Sequence, residues 1–140
     1  LARKLGALSM RLYASPGRGL ARIEDLSGRE FVRVEGLPPE LSVRDRGQPV
    51  KLALKGRVQV SSFWEAAEVA SRTGRLVVLP SFSALPFIMS GKLTAAARWM
   101  TFQSIDVHLL RAPRHRGSVV VDALGEGLVA ALAEVERAVA

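Results

Sequence analysis

The sequence predicts a single α+β domain over residues 1–140, and three observations carry that prediction. In "VKLALKGRVQV", residues 50–60, Val50, Leu52, Leu54, Val58 and Val60 alternate with Lys51, Lys55, Arg57 and Gln59, the two-residue period of a half-buried strand. From residue 61 the period lengthens: Ser62-x-x-Glu65 is a capping box ahead of "WEAAEVAS", and Gly74 suits a left-handed closing position. In the closing "GEGLVAALAEVERAVA", Leu128, Leu132, Val135 and Val139 recur at helical spacing as one stripe. Strands gathered early and helices late predict helices packed on one face of a mainly antiparallel sheet.

Taken in order, Leu5, Leu8 and Leu12 at three- and four-residue spacing predict an N-terminal amphipathic helix, stopped by "SPGRG". Residues 20–36 read as two strands around a turn near Ser27-Gly28, with Val32 and Val34 on one face. Pro38-Pro39 breaks the run, and "ELSVRDRGQP" gives a short strand and a turn at Arg46-Gly47. Gly56 marks a bulge or tight turn in the alternating stretch. A basic antiparallel meander thus occupies about residues 20–60, and a helix-rich half about residues 61–140.

After the capped helix, "RLVVLP" reads as a buried strand, and Pro80 and Pro86 frame a loop. A second helix is expected from near Ser90 through "KLTAAARWMTF". "SIDVHLL" and "SVVVDAL" read as two strands joined by "RAPRHRG", residues 111–117, as a hairpin connection. Gly125 and Gly127 then cap the closing helix. The expected order is an N-terminal helix, an antiparallel β meander, then β-α-β-α-β-β-α.

Composition bounds the chemistry. Cysteine is absent, which removes disulfides, thiolate metal sites and a cysteine nucleophile together. Asparagine is absent too, and arginine outnumbers lysine 16 to 4, a bias that fits a GC-rich or thermophilic source. The formal net charge of +7 is uneven: residues 1–57 hold 12 basic against 6 acidic side chains, and residues 58–140 hold 8 against 7. Such a field attracts a polyanion, so nucleic acid or an acidic protein is the expected partner. A hydrophobic fraction of 49% beside that charge points to a homo-oligomer or a subunit of a complex. No run approaches the ~20 apolar residues of a membrane span, and a cytoplasmic location is expected. The acid-free residues 1–23 have the composition of an organellar transit peptide, a reading set behind the amphipathic helix.

Catalytic signatures are sparse. Ser90-Gly91-Lys92-Leu93 lacks the Ser or Thr after the lysine that a phosphate loop needs for Mg²⁺, and Pro86 stands where its first glycine belongs. Asp106 and His108 share one face of a strand, which suits proton transfer or part of a metal site. The opposite face of Ile105, Val107 and Leu109 is that of an ordinary half-buried strand, so the pair reads first as solvated. No cofactor or metal is implied. Apart from Phe31 the basic strands carry no rings, which argues against base stacking but not against phosphate binding.

The heptapeptide "FIMSGKL", residues 87–93, resembles the F-M-S-G-K-L stretch of sterol-carrier-type lipid-binding domains, which are small, basic and α+β. The likeness covers seven of 140 residues. It implies an apolar tunnel bounded by Phe87, Ile88 and Met89.

The leading expectation is a non-enzymatic basic protein docking on nucleic acid or within a ribonucleoprotein or protein complex. The expected phosphate contacts are Arg33, Arg44, Arg46, Lys51, Lys55 and Arg57 on the meander, with Arg111, Arg114 and Arg116 beyond it. The alternatives are a carrier or sensor of a small apolar ligand, and an enzyme using Asp106 and His108.

Overall fold

The structure, a computed structural model, describes residues 2–17, 19–115 and 117–140. The α+β class holds, with three α-helices and short, mostly antiparallel strands. The chain opens on β1 (Ala2–Leu8) and β2 (Met10–Ala14), where the leucine spacing predicted a helix. The reason is burial on both sides of β2. Met10, Leu12 and Ala14 enter one apolar cluster and Tyr13 enters a second, leaving Arg11 as the strand's one polar residue and its period hard to read.

A 3-10 turn (Ile23–Leu26) stands where the first meander strand was expected. Asp25 fixes it, its Oδ2 accepting the Ala21 and Arg22 amides at 2.9 Å each. Then come β3 (Arg33–Val34), β4 (Glu40–Asp45), β5 (Gln48–Ala53) and β6 (Gln59–Val60). β4 and β5 form the predicted hairpin, closed by Arg46 and Gly47, both at positive φ. β3 and β6 pair in parallel, so the meander is only partly antiparallel. Gly56 is required by a close approach: a Cβ there would stand 1.9 Å from the Phe31 carbonyl oxygen.

Helix α1 (Phe63–Thr73) has the predicted limits. The Ser62 hydroxyl accepts the Glu65 amide, and Gly74 closes the helix at φ 73°. β7 (Val77–Pro80) follows, fully buried. The expected loop between the prolines is instead α2 (Ser81–Met89), with Pro86 inside it. Its Ser81, Ala84 and Phe87 are buried, which outweighs the amide that Pro86 lacks. The helix expected from Ser90 is absent. That stretch holds β8 (Thr94–Ala95) and β9 (Met100–Thr101), which pair with β2 and β4.

β10 (Ile105–Leu110) pairs antiparallel with β1, from Ala2 opposite Leu110 to Leu8 opposite Ile105. "SVVVDAL" is not a strand. Ser118 caps α3 (Val119–Val139), its hydroxyl accepting the Val121 amide at 3.3 Å, so the valines form the first turn. The segment 111–117 therefore links a strand to a helix, and Gly125 and Gly127 lie inside that helix. Gly125 marks where α3 crosses the ribbon: a Cβ there would meet Arg3 and Leu109 side chains at 3.2 and 3.3 Å.

Two parts result. The larger is built on β2, flanked by β7 and β8, with α1 and α2 packed nearby. The smaller is the β1–β10 ribbon with the first half of α3. Two short extended segments, the crossing strands, link them, one through Ser9 and one through residues 102–104, with the adjacent Leu8 and Ile105 paired. The surface of 8302 Å² exceeds the roughly 7,100 Å² typical of a compact monomer of this mass. Much of the apolar excess lies on α3 and β10, at Leu110, Val119, Val120 and Leu124.

Candidate functional site

The segment through Ser9 meets the start of α2 and the end of α3 in one polar cluster. Ser9, between β1 and β2, donates its amide to Glu136 Oε1 at 2.9 Å. Its carbonyl accepts the Ser81 amide at 2.9 Å. The Ser81 hydroxyl closes the triangle by donating to the same Glu136 oxygen. Beside it, Arg11 Nη1 donates to the Val139 carbonyl at 2.9 Å. The last turns of α3 are thus tied to β2 and to the first residue of α2, while its first turns lie on the ribbon.

Burial pushes the Glu136 carboxyl up. The Ser81 hydroxyl, the Ser9 amide and hydroxyl and the Arg11 charge outweigh it, holding the group below its ordinary value. The Ser9 hydroxyl also favours the carboxylate, although it forms no hydrogen bond among the described residues. Glu136 also sits at the N-terminus of α2, where the helix dipole favours negative charge. Tyr13, fully buried, has a hydroxyl without a partner among the described residues, and burial raises its pKa further than Arg11 lowers it.

Two grooves open at the crossing strands, with Met10 and Phe102 common to both. One, of about 400 Å³, has Leu37, Leu41, Phe102 and Ile105 as apolar walls and Glu40 as its one charged residue. The other, of about 240 Å³, runs past Ser9, Arg11 and Arg98. An apolar slot next to a few fixed polar groups is the usual architecture of a small-molecule site.

Of the nine expected phosphate contacts, Arg44, Arg46 and Arg111 are engaged within the chain. Arg44 donates to the Gly47 carbonyl at 3.0 Å within its own hairpin. Arg46 donates to the Ala21 carbonyl at 2.6 Å, pairs with Asp45 and lies over the Trp99 ring at 5.0 Å. Arg111 is spent on Asp122 at 2.6 Å. Arg33 is half-buried on β3, Arg114 is exposed in the link before α3, and Arg116 lies outside the described residues. Lys51, Lys55 and Arg57 do share one groove.

Asp106 is engaged by Lys4 Nζ at 3.2 Å, and His108 is exposed on the same ribbon. Phe87 is buried and Met89 is 79% exposed, so these two do not bound a common tunnel. Sequence reasoning missed Ser9, Arg11, Tyr13, Ser81 and Glu136. One signal was present: Glu136 falls at helical spacing between Leu132 and Val139, on the face that α3 turns inward.

No protein-family model matches the chain, and no curated protein matches it in sequence. Solved structures do. The full-length Vibrio cholerae virulence activator AphB, a member of the LTTR protein family, matches at TM-score 0.76 and 19% identity, over 91% of this chain and 47% of that one. The regulatory domain of AphB from Vibrio vulnificus matches at 0.71 and 20%, over 94% and 68%. The regulatory domain of CrgA, a LysR-type transcriptional regulator from Neisseria meningitidis, matches at 0.70 and 19%, over 94% and 68%. The chain spans 39–47% of the full-length AphB and CrgA proteins it matches.

This fold corrects the expectation of a basic subunit docking on nucleic acid. The likeness is to regulatory domains, and several of the arginines read as phosphate contacts serve internal pairs. Among the described residues, no helix is long and apolar enough to cross a membrane.

Proposed function

We propose that this chain is the ligand-sensing part of a transcription regulator, responding to a small organic molecule held where the crossing strands meet α2. The fold likeness supports this reading, but fold alone does not assign function. The observation that carries it is the cluster at the crossing. Glu136 holds Ser9 and Ser81 together, its charge acts on the Tyr13 hydroxyl, which is buried without a partner among the described residues, and Met10, next to Ser9, lines the apolar groove. A ligand entering there alters the contacts that fix one part against the other, which is what a sensor requires. Of the earlier alternatives, the apolar-ligand sensor is the one this supports. The exposed row of Val119, Val120 and Leu124 is the face on which further polypeptide packs in such an assembly.

A thermal-shift screen of small organic compounds against the full chain tests the reading. A ligand at a hundredfold excess over its Kd should raise Tm by roughly 5–10 °C. Phe102→Ala should remove most of that rise. A rise unchanged in Phe102→Ala and in Leu41→Lys contradicts the assignment of the site.

A further inference from the structure

We propose a second binding site, separate from the crossing strands, that takes an organic anion: a carboxylate or phosphate head on an apolar body. It is a groove of about 550 Å³ between the 3-10 turn and the end of β5, within the usual size of small-molecule pockets. Its apolar lining is Ile23, Leu26, Phe31 and Leu52. Arg29, Lys51, Lys55 and Arg57 line it as well, against Glu30 as the one carboxylate.

Those charges are incompletely used within the chain. Glu30 is already held by Arg75 Nε at 3.2 Å, and Arg57 reaches it only at 3.8 Å with 92% of its side chain exposed. Lys51 Nζ donates to the Ser42 hydroxyl at 2.7 Å, a neutral partner. Lys55 is exposed and makes no ion pair among the described residues. Arg29 is a half-buried member of the lining, its Nη2 enclosed and without an acceptor among the described residues.

The frame is rigid. Phe31 donates its amide to the Lys55 carbonyl at 2.8 Å, and Gly56 lies so close to the Phe31 carbonyl that no side chain fits. Lys55 and Arg57 are therefore held on the rim by the same backbone that places Phe31 in the wall. Excess positive charge over an apolar wall selects against a neutral ligand and against a bare inorganic ion. A groove of this size also accepts a small molecule, whereas an extended polyanion needs a continuous track of cations. The site stands independently of the sensing role proposed above.

The test is calorimetric titration of the full chain with octanoate, phenyl phosphate, inorganic phosphate and octanol. The expected result is one-to-one binding of octanoate or phenyl phosphate, with inorganic phosphate and octanol each at least about tenfold weaker. Lys55→Gln/Arg57→Gln alters only exposed side chains, so its Tm should hold while affinity falls about tenfold or more. Chemical shifts should move at Leu26, Phe31 and Leu52, and a Phe102→Ala variant should bind as the parent does. Three results overturn the proposal: no binding of either organic anion at millimolar concentration, equal binding of octanol, or affinity unchanged in the double variant. Tight binding of a single-stranded oligonucleotide through the same lysines also overturns it.

Discussion

Glu136, in the last turns of α3, accepts a hydrogen bond from the hydroxyl of Ser81, the first residue of α2, 55 positions away. The same oxygen takes the Ser9 amide. One carboxylate thereby joins the last helix, a helix N-terminus and a crossing strand, so the end of α3 acts as a clasp between the two parts of the molecule.

Removing the clasp should destabilise the protein. Glu136→Ala leaves the Ser9 amide and the Ser81 hydroxyl unpaired, for a loss of about 1–2 kcal/mol once partial exposure is discounted. Urea unfolding should show it, with Glu136→Gln intermediate because the amide oxygen still accepts. Equal stability of all three proteins would show that the triangle contributes nothing.

Acid should open the same contact. The Glu136 carboxyl is held below its ordinary value by Ser81, Ser9 and Arg11 against the opposing effect of burial. A depressed folded-state pKa contributes stability that is full above the unfolded value and is lost as pH falls through the folded one. The loss belongs below about pH 4.3, the unperturbed glutamate value. Asp25 is lowered too, by the Arg22 and Ala21 amides, and acts in the same direction. The checking measurement is the Tm difference between the parent and Glu136→Gln: steady from pH 7 to 5, then shrinking towards pH 3. A difference that grows in acid contradicts the sign.

Tyr13→Phe should leave the free protein unharmed or raise its stability by up to about 1 kcal/mol, since the hydroxyl is buried without a partner among the described residues. If that hydroxyl serves a ligand at the crossing, the variant should bind it less tightly while melting no lower. A lowered Tm would mean that the hydroxyl is already bonded in the free protein.

Gly56→Ala should cost about 3 kcal/mol or prevent folding, because its Cβ would overlap the Phe31 carbonyl oxygen, a backbone atom that cannot turn aside. Gly127→Ala, at an open position inside α3, should instead stabilise by up to about 1 kcal/mol. Denaturant melts of the two variants should move in opposite directions.

What the sequence made legible were features whose causes lie within a few residues. Helix α1 was readable because Ser62, Glu65 and Gly74 cap it locally, and the β4–β5 hairpin because Arg46-Gly47 turns it. Strand β2 was misread because burial on both faces erases alternation, and the leucines on either side of Ser9 imitate a helix. Helix α2 was hidden by Pro86, and the start of α3 by three β-branched valines whose cap, Ser118, is a single residue. The polar cluster was harder still. Glu136 meets partners 127 and 55 positions away, so its chemistry exists only after the chain closes. The arginines failed as a guide for a related reason: charge is countable in a sequence, but the carbonyls and carboxylates that spend it are not.

The central claim, a ligand sensed at the crossing strands, is tested most directly by amide chemical-shift mapping of the full chain against a library of small organic molecules. The account predicts binders that move Ser9, Ser81 and residues 102–104 together with Glu136 and Val139 at the end of α3. Binders that leave those amides still, or shifts produced instead by duplex DNA along the basic residues, would contradict it.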